Sequence, residues 1–185
     1  MKENNFHEPV MLSEIGSLIP NDKKINVIDA TFGGGGYSKM LLEKYNINRL
    51  IAIDRDPDSK IFAKEINKKF KNFELIIGCF GRIDELVSKN ILDNDKFDVI
   101  IFDLGISSNQ IENSKRGFSF MKDGPLDMNM GGSKLNAFKV VNEFSENDLC
   151  EIIFKFGEEK FAKKIAKKIV KQRKIEPIST TLELS

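Results

Sequence analysis

Residues 33–36 are four consecutive glycines between a predicted strand that ends at Asp29 and a helix predicted to begin near Ser38. Glycine loses more conformational entropy on folding than any other residue, so a run of four needs a structural reason. The usual reason is a backbone that turns with positive φ and lets a ligand approach a helix N-terminus, whose free N–H groups favour an anion. The glycines therefore indicate a ligand site at the end of the first strand.

Short β-branched runs alternate with helical patterns through the first part of the chain. Strands are predicted at residues 26–29, 49–54, 73–77 and 97–103, and helices at residues 38–44, 57–70 and 82–89. This alternation is typical of a parallel sheet with right-handed helical crossovers. We expect the strand order 3-2-1-4. The fourth strand then exposes an apolar edge, which predicts a chain that dimerises, aggregates or is poorly stable; the edge residues are Val99, Ile100, Ile101 and Phe102.

A carboxylate, Asp54, ends the second predicted strand 21 residues after Gly33. In nucleotide-binding α/β sheets an acidic residue at that place accepts hydrogen bonds from ribose hydroxyls. A dinucleotide and S-adenosylmethionine both present such a ribose. Gly33, Gly35 and Ser38 approximate the GxGxxG pattern without choosing between the two cofactors. The structural alternative is a tight turn followed by a solvated aspartate.

The fourth predicted strand delivers Asp103 at its carboxyl end, where ligands of open α/β sheets bind. An exocyclic amine of a base is a poor nucleophile because its lone pair is delocalised into the ring. An oxygen acceptor on its N–H localises that lone pair, and close positioning provides much of the rest. Asp103 therefore favours a methyltransferase. A dehydrogenase needs a proton donor or acceptor for an alcohol, and no lysine, histidine or tyrosine stands out there.

Composition removes other classes of protein. The 185 residues provide enough apolar material for one core, and the formal net charge of +1 gives no general attraction to nucleic acid. The single histidine, His7, excludes a multi-histidine metal site and makes a Ser/His/Asp triad improbable. Cys79 and Cys150 are predicted to be small buried side chains in a reducing compartment. Since no signal-peptide core is present, we expect a cytoplasmic protein with no membrane partner.

Residues 106–132 are too long for an ordinary connection, and their interleaved apolar side chains argue against disorder. Within this segment, Phe118 and Phe120 are predicted to form either a short half-buried strand or a base-stacking platform. We favour packing for one ring and ligand contact for the other.

A long amphipathic helix is predicted over residues 158–173, with Phe161, Ile165 and Ile169 as its inner row and Ala162, Ala166 and Val170 beside them. Residues 155–174 contain nine basic and two acidic residues, a net charge of +7, so the remaining chain carries −6. This basic face is either solvated or a phosphate-binding surface.

Several motifs together resemble the ribosomal RNA small subunit methyltransferase H (MraW) family. The resemblance covers essentially the whole chain, and the five motifs between residues 29 and 128 occur in the right order, which makes chance similarity negligible. The matching segments are residues 7–10 (His-Glu-Pro-Val), 29–36 (Asp-Ala-Thr-Phe-Gly-Gly-Gly-Gly), 52–57 (Ala-Ile-Asp-Arg-Asp-Pro), 103–108 (Asp-Leu-Gly-Ile-Ser-Ser), 116–120 (Arg-Gly-Phe-Ser-Phe), 123–128 (Asp-Gly-Pro-Leu-Asp-Met) and 156–162 (Phe-Gly-Glu-Glu-Lys-Phe-Ala).

The resemblance implies S-adenosylmethionine-dependent methylation of the exocyclic N4 of a decoding-centre cytidine in 16S rRNA of small-subunit particles. It implies a class I, Rossmann-like α/β fold, here with an incomplete sheet and a helical insertion domain after the fourth strand. The implied cofactor contacts are Gly35, Gly36, Tyr37, Asp54, Phe80, Asp103 and Gln110. The implied catalytic residues are Asp103 and Asp127, and no metal is implied.

Roles follow from the same resemblance. Asp54 holds the ribose, and Phe80 flanks the adenine unless it is a core aromatic. Gly35 and Gly36 let the methionine half lie against the backbone. Asp103 and Gln110 face the methionine amine or the reacting centre, and the sequence does not decide which residue has which role. The loop that carries Asp123 and Asp127 borders the cytidine.

The sequence departs from the family pattern at Tyr37, where relatives usually have histidine, and at Asn129 and Gly131, where they have arginine and aspartate. The lost cation weakens the case for RNA binding. Relatives also continue well beyond Leu184.

We therefore expect an incomplete methyltransferase domain over residues 1–108, a substrate-side loop and helical insertion over residues 109–180, and the start of a missing C-terminal half at residues 181–185. Two alternatives remain: a truncated inactive fragment that retains cofactor or ribosome binding, and a NAD-dependent oxidoreductase.

Overall fold

A computed structural model describes residues 9–88, 96–131 and 133–185. The chain divides into two compact units, Met1–Ser107 and Ser108–Ser185. The first unit contains a parallel sheet in the order β3-β2-β1-β4, which confirms the predicted order. Its strands are β1 (Ile25–Asp29), β2 (Ile47–Asp54), β3 (Phe73–Ile77) and β4 (Val99–Ile101).

Helices cover both faces of this sheet. One face packs against α1, α2 and α3 through Val27, Leu50 and Ala52. The opposite face packs against α4 through Ile28 and Ile51. Burial on both faces explains why the strands are almost continuously apolar. The helices are α1 (Leu12–Leu18), α2 (Gly36–Lys44), α3 (Ser59–Lys69) and α4 (Ile83–Ser88); α1 was not predicted, and the end of the predicted helix 82–89 lies outside the described residues.

Strand β4 is shorter than the predicted span of residues 97–103, because only three of its residues pair with β1. The exposed apolar edge is also smaller than predicted. Alternate side chains point to opposite faces of a sheet, so Ile101 is buried and Val99 packs against the core, whereas Ile100 and Phe102 are 49% and 50% exposed.

The second unit is helical and packs around Leu126, Val141 and Ile178. Backbone groups approach closely in its long loop: a Cβ added at Gly117 would lie 2.1 Å from the Pro125 carbonyl oxygen. Its helices are α5 (Ser108–Glu112), α6 (Ala137–Glu143), α7 (Glu146–Gly157), α8 (Ala162–Arg173) and α9 (Thr181–Leu184).

The apolar side chains of that loop are buried unequally. Leu126 is 2% exposed and Phe118 is half-buried, whereas Phe120 and Met121 are 70% and 80% exposed. No strand forms at Phe118 and Phe120. The expectation that Phe120 and Met121 give the loop surface to bury is therefore wrong for these two side chains.

The predicted helix over residues 158–173 is interrupted at its start. Helix α7 ends at Gly157, Glu158 has φ 51°, and α8 begins at Ala162. The predicted inner row is wrong for Phe161 and Ile165, which are 68% and 37% exposed, whereas Ile169 packs against the core of the second unit and Ala162 and Ala166 are buried. Small side chains on the inner face let α8 pack closely on α7, which leaves no room for a phenyl ring there.

Cys79 is exposed and Cys150 is half-buried, so the prediction that both are buried is wrong. Neither forms a disulfide. Among the described residues, no helix is long and apolar enough to cross a membrane.

Candidate functional site

The turn after β1 is held by backbone hydrogen bonds to its two neighbouring strands. The Ala30 N–H donates to the Ile101 carbonyl oxygen (2.9 Å) at the end of β4, and the Phe32 N–H donates to the Ile53 carbonyl oxygen (3.0 Å) in β2. Since β1 lies between β2 and β4, these bonds fix the glycine turn at the carboxyl edge of the sheet, where α/β proteins bind ligands.

The glycines adopt the backbone conformation that the sequence predicts. Gly33 has φ 53° and Gly35 has φ 81°, values that favour glycine. Gly35 is the residue before α2, and a Cβ there would lie 2.8 Å from the Phe32 ring and 2.9 Å from Ile66. A Cβ added at Gly33 would lie 3.9 Å from the Ser107 Cβ and from the Thr31 carbonyl oxygen, which is ordinary van der Waals contact, so positive φ and not crowding favours glycine there.

Asp54 and the glycine turn are in direct contact. The Gly33 N–H donates to the Asp54 Oδ2 (2.6 Å), and the Asp56 N–H donates to its Oδ1 (2.8 Å). Burial raises the pKa of the Asp54 carboxyl above its usual value, and the two N–H groups act in the opposite direction. The end of β2 thus presents an oriented carboxylate beside the glycine turn.

A second carboxylate, Asp29, lies beneath the turn and is 1% exposed. Its Oδ2 accepts a hydrogen bond from the Ser38 hydroxyl (2.6 Å) and its Oδ1 accepts one from the Thr31 N–H (3.3 Å). Burial raises the pKa of Asp29 to about 6, although both hydrogen bonds lower it. We had not predicted this pair; the available signal was a polar residue at the end of a buried strand and Ser38 in the first turn of the following helix.

Asp103 has an exposed side chain just beyond β4, and its N–H donates to the Thr31 Oγ1 (2.7 Å). Thr31 therefore links the ends of β1 and β4 and fixes the backbone from which the Asp103 carboxylate projects. This positioning role of Thr31 was not predicted.

Phe80 follows β3 and is 38% exposed, so it is not a buried core aromatic. Its ring meets Phe102 edge-on, with centroids 5.6 Å apart and planes at 80°. Edge-to-face contact is a favoured arrangement of aromatic pairs. Phe102, the residue after β4, therefore supports Phe80 from the opposite end of the sheet.

Tyr37 lies in the core of the first unit instead of in an open position. Its hydroxyl donates to the Val10 carbonyl oxygen. Burial raises the pKa of its phenol, with the carboxylates of Asp103 and Asp29 as further causes. The side chain at this position therefore anchors the segment before α1.

The remaining predicted residues belong to the second unit. Gln110 is a buried residue of α5. Asp127 is half-buried, and its Oδ1 accepts a hydrogen bond from the Asn136 Nδ2 (3.3 Å). Asp123 is exposed, and its Oδ1 accepts hydrogen bonds from the Gly124 and Leu182 N–H groups. The structure thus brings Asp54, Gly33 and Gly35 together in the first unit and places Gln110 and Asp127 in the second.

A parallel sheet with a glycine turn after β1 and an acidic residue at the end of β2 defines a Rossmann-like α/β protein. Comparison with known proteins identifies its family. The chain belongs to the MraW methylase family, whose family model matches residues 4–185.

Curated relatives carry the name "Ribosomal RNA small subunit methyltransferase H". The protein from Caldicellulosiruptor saccharolyticus is 48% identical over 181 residues, which are 97% of this chain and 58% of that protein. Those from Hyphomonas neptunium and Rickettsia bellii are 42% and 43% identical, each over 97% of this chain and over 52% and 57% of their own lengths. The chain therefore spans between half and three fifths of the length of these relatives.

A solved rRNA methylase structure from Streptococcus thermophilus aligns with 51% of this chain and 51% of its own chain. The identity is 22% and the TM-score is 0.38, a likeness too low to carry an argument.

Proposed function

We propose that this chain carries the S-adenosylmethionine site of a methyltransferase that modifies the exocyclic N4 of a decoding-centre cytidine in 16S rRNA. Family membership and the names of the relatives support methylation of small-subunit rRNA. The observation that carries the proposal is the hydrogen bond between the Gly33 N–H and the Asp54 carboxylate. It places the glycine turn and the expected ribose-binding carboxylate side by side, and we call this pair the Gly33–Asp54 corner.

The residues at this corner fit such a cofactor. The Asp54 carboxylate would accept hydrogen bonds from the ribose hydroxyls, as acidic residues at the end of β2 do in nucleotide-binding sheets. The backbone of the turn would contact the methionine half at Gly35 and Gly36. The exposed ring of Phe80 would contact the adenine. Tyr37 would contribute only its backbone, because its side chain is buried in the core.

When bound, the cofactor supplies an electrophilic methyl group. The chain's own contribution would come from Asp103, whose exposed carboxylate can accept a hydrogen bond from an N–H of the cytidine amine. That bond would localise the nitrogen lone pair, and the Thr31 contact would hold Asp103 in position. Asp127 and Gln110 remain predictions from the family resemblance, Asp127 as a catalytic residue and Gln110 as a cofactor contact.

Methyl transfer from labelled S-adenosylmethionine to unmethylated small-subunit particles tests the proposal. We expect label in 16S rRNA, recovered as N4-methylcytidine after digestion to nucleosides. Asp103→Asn should lower the rate on the order of 100-fold, since a poised acceptor at the reacting group contributes that much. Asp84→Asn, an exposed carboxylate of α4, is the matched control and should leave the rate unchanged.

Two outcomes would contradict the proposal. Binding of S-adenosylhomocysteine without any incorporation would mean that this chain is a cofactor-binding piece without turnover. Label on another nucleoside would contradict the cytidine N4 target.

A further inference from the structure

The outer face of α8 carries five lysines and Lys174 follows its last residue, which makes six lysines that no acidic residue balances. Residues 162–173 contain no aspartate or glutamate. All six lysines are exposed, and within the described part of the chain none of their ammonium groups lies within 4 Å of a carboxylate. The six residues are Lys163, Lys164, Lys167, Lys168, Lys171 and Lys174.

Several basic residues elsewhere in the described chain pair with an acidic residue three or four positions away. Lys68 on α3 pairs with Glu65, Arg82 pairs with Glu85, and Lys155 on α7 pairs with Glu151. Mixed charge of this kind is what a solvated helix face ordinarily shows. Like charges four residues apart destabilise a helix by a few tenths of a kcal/mol, roughly 0.2–0.5 per pair. The lysines on the outer face therefore lower the stability of α8, so the stability of the helix does not explain why they are there.

The lysines lie opposite the face that α8 buries. At 100° per residue, Ala162, Ala166 and Ile169 form one stripe, and these residues contact the body of the second unit. Arg173 is on the same side, where its guanidinium donates to the carbonyl oxygens of Val141 and Phe144 (2.6 Å each). Arg173 is thus part of the packing, and the six lysines alone form the free cationic face. We call this set the lysine face.

We propose that the lysine face of α8 binds the phosphate backbone of RNA. Lysines at 163, 167 and 171 lie in one row with a rise of about 6 Å between neighbours, because each helical residue rises about 1.5 Å. Ammonium groups are point charges that contact phosphates without reading sequence. The face would therefore contribute affinity and orientation, while target choice remains with the site residues.

Charge distribution supports a polyanionic partner. Residues 155–174 carry +7 and the remaining chain −6, so positive charge is concentrated in the segment that contains α8, which attracts a polyanion there. An anionic membrane is the less favoured partner, because the stripe of Ala162, Ala166 and Ile169 packs against the protein, which leaves α8 with one exposed large apolar side chain, Ile165. The choice of RNA rests on the proposed function, since the relatives are named as rRNA methyltransferases.

The test compares two triple variants of the full chain. The first is Lys163→Gln/Lys167→Gln/Lys171→Gln on α8. The matched control is Lys60→Gln/Lys64→Gln/Lys68→Gln, an exposed row with the same spacing on α3. Binding to protein-free 16S rRNA is measured from about 50 to 200 mM salt, the range over which phosphate contacts weaken strongly. Thermal melts check folding, and the single variants Lys163→Gln and Lys167→Gln provide the same readout with less perturbation.

We expect the α8 variant to bind RNA more weakly and to reduce the slope of log K against log salt by about 2 to 3, since each lost phosphate contact removes about 0.7–0.9. The α3 variant should keep the slope of the unmodified chain. Equal effects of the two variants, no effect of either, or no RNA binding by the unmodified chain would overturn the inference. Loss of binding to phosphatidylserine vesicles with RNA binding unchanged would overturn it in favour of a membrane.

Titration with S-adenosylhomocysteine separates this inference from the proposed function. An α8 variant that binds this ligand normally but has lost salt-dependent RNA binding supports the inference that the lysine face binds RNA. A chain that binds RNA through α8 and shows neither ligand binding nor methyl transfer would contradict the proposed function and leave the lysine face supported as an RNA-binding surface.

Discussion

Asp29, the buried carboxylate at the end of β1, stabilises the glycine turn by hydrogen bonds, but burying its charge is unfavourable. Asp29 accepts hydrogen bonds from Ser38 and Thr31, which tie the end of β1 to the start of α2 and to the turn between them. The same carboxyl is buried and lies near Asp54, and both conditions raise its pKa. A group whose charged form is disfavoured in the folded state makes stability depend on pH.

Asp29 should make the protein less stable as pH rises from about 4 to about 6. Its folded pKa is about 6 against an ordinary value of 3.8, so the folded state holds a proton that the unfolded state releases in that window. The stability contributed by that proton is present at low pH and is lost as pH rises through 6. The full effect is about 3 kcal/mol at most.

Urea unfolding of wild type, Asp29→Asn and the exposed control Asp22→Asn at several pH values measures this effect. The difference between wild type and Asp29→Asn should change between about pH 4 and 6 and level off above that range. A difference that is constant across the whole range would show that Asp29 does not titrate as described.

At the level of elements, the sequence predicted the strands, most helices and the strand order, because these depend on the pattern of apolar residues along short segments. Strand order followed from βα alternation, whereas the hydrogen bond between the Gly33 N–H and Asp54 was not predicted, although both residues were assigned to one nucleotide site. The inner face of α8 could not be predicted, because alanines and isoleucines are both apolar and only the neighbouring α7 decides which row fits. Phe80 was equally undetermined, since its partner Phe102 follows a distant strand.

The corrected inner face of α8 predicts unequal costs of two substitutions. Ala166 is fully buried, so Ala166→Leu should destabilise the protein by about 1–3 kcal/mol through overpacking. Phe161 is mostly exposed, so Phe161→Ala should cost less than about 1 kcal/mol. Urea unfolding gives both values. If Phe161→Ala lowered the free energy of unfolding by more than Ala166→Leu does, Phe161 would be a buried residue, as the sequence pattern predicted.

At the level of the whole molecule, the outer side of β4 is the feature open to association. The strand lies at the end of the sheet in the described part of the chain, and Ile100 is half-exposed on it. Unpaired strand edges with apolar side chains are templates for pairing between chains. The first unit therefore has a physical reason to self-associate.

We expect the purified chain to form dimers or larger species in light scattering after size-exclusion chromatography. Ile100→Lys should shift the distribution toward monomer, because a lysine on an edge strand opposes pairing. Leu18→Lys, on the exposed surface of α1, is the matched control and should leave the distribution unchanged. A clean monomer with a cooperative melt in the unmodified chain would contradict this expectation.

The most direct test of the proposed cofactor site is calorimetric titration of S-adenosylhomocysteine and NADH into wild type, Asp54→Asn and the exposed neighbour control Asp58→Asn. We predict that wild type and Asp58→Asn bind S-adenosylhomocysteine and that NADH does not bind. Asp54→Asn should lose at least about tenfold in affinity for S-adenosylhomocysteine, because hydrogen bonds to a charged group contribute roughly 1.5–3 kcal/mol. Unchanged affinity in a folded Asp54→Asn variant, or preferential binding of NADH, would contradict a methyltransferase site at the corner of Gly33 and Asp54.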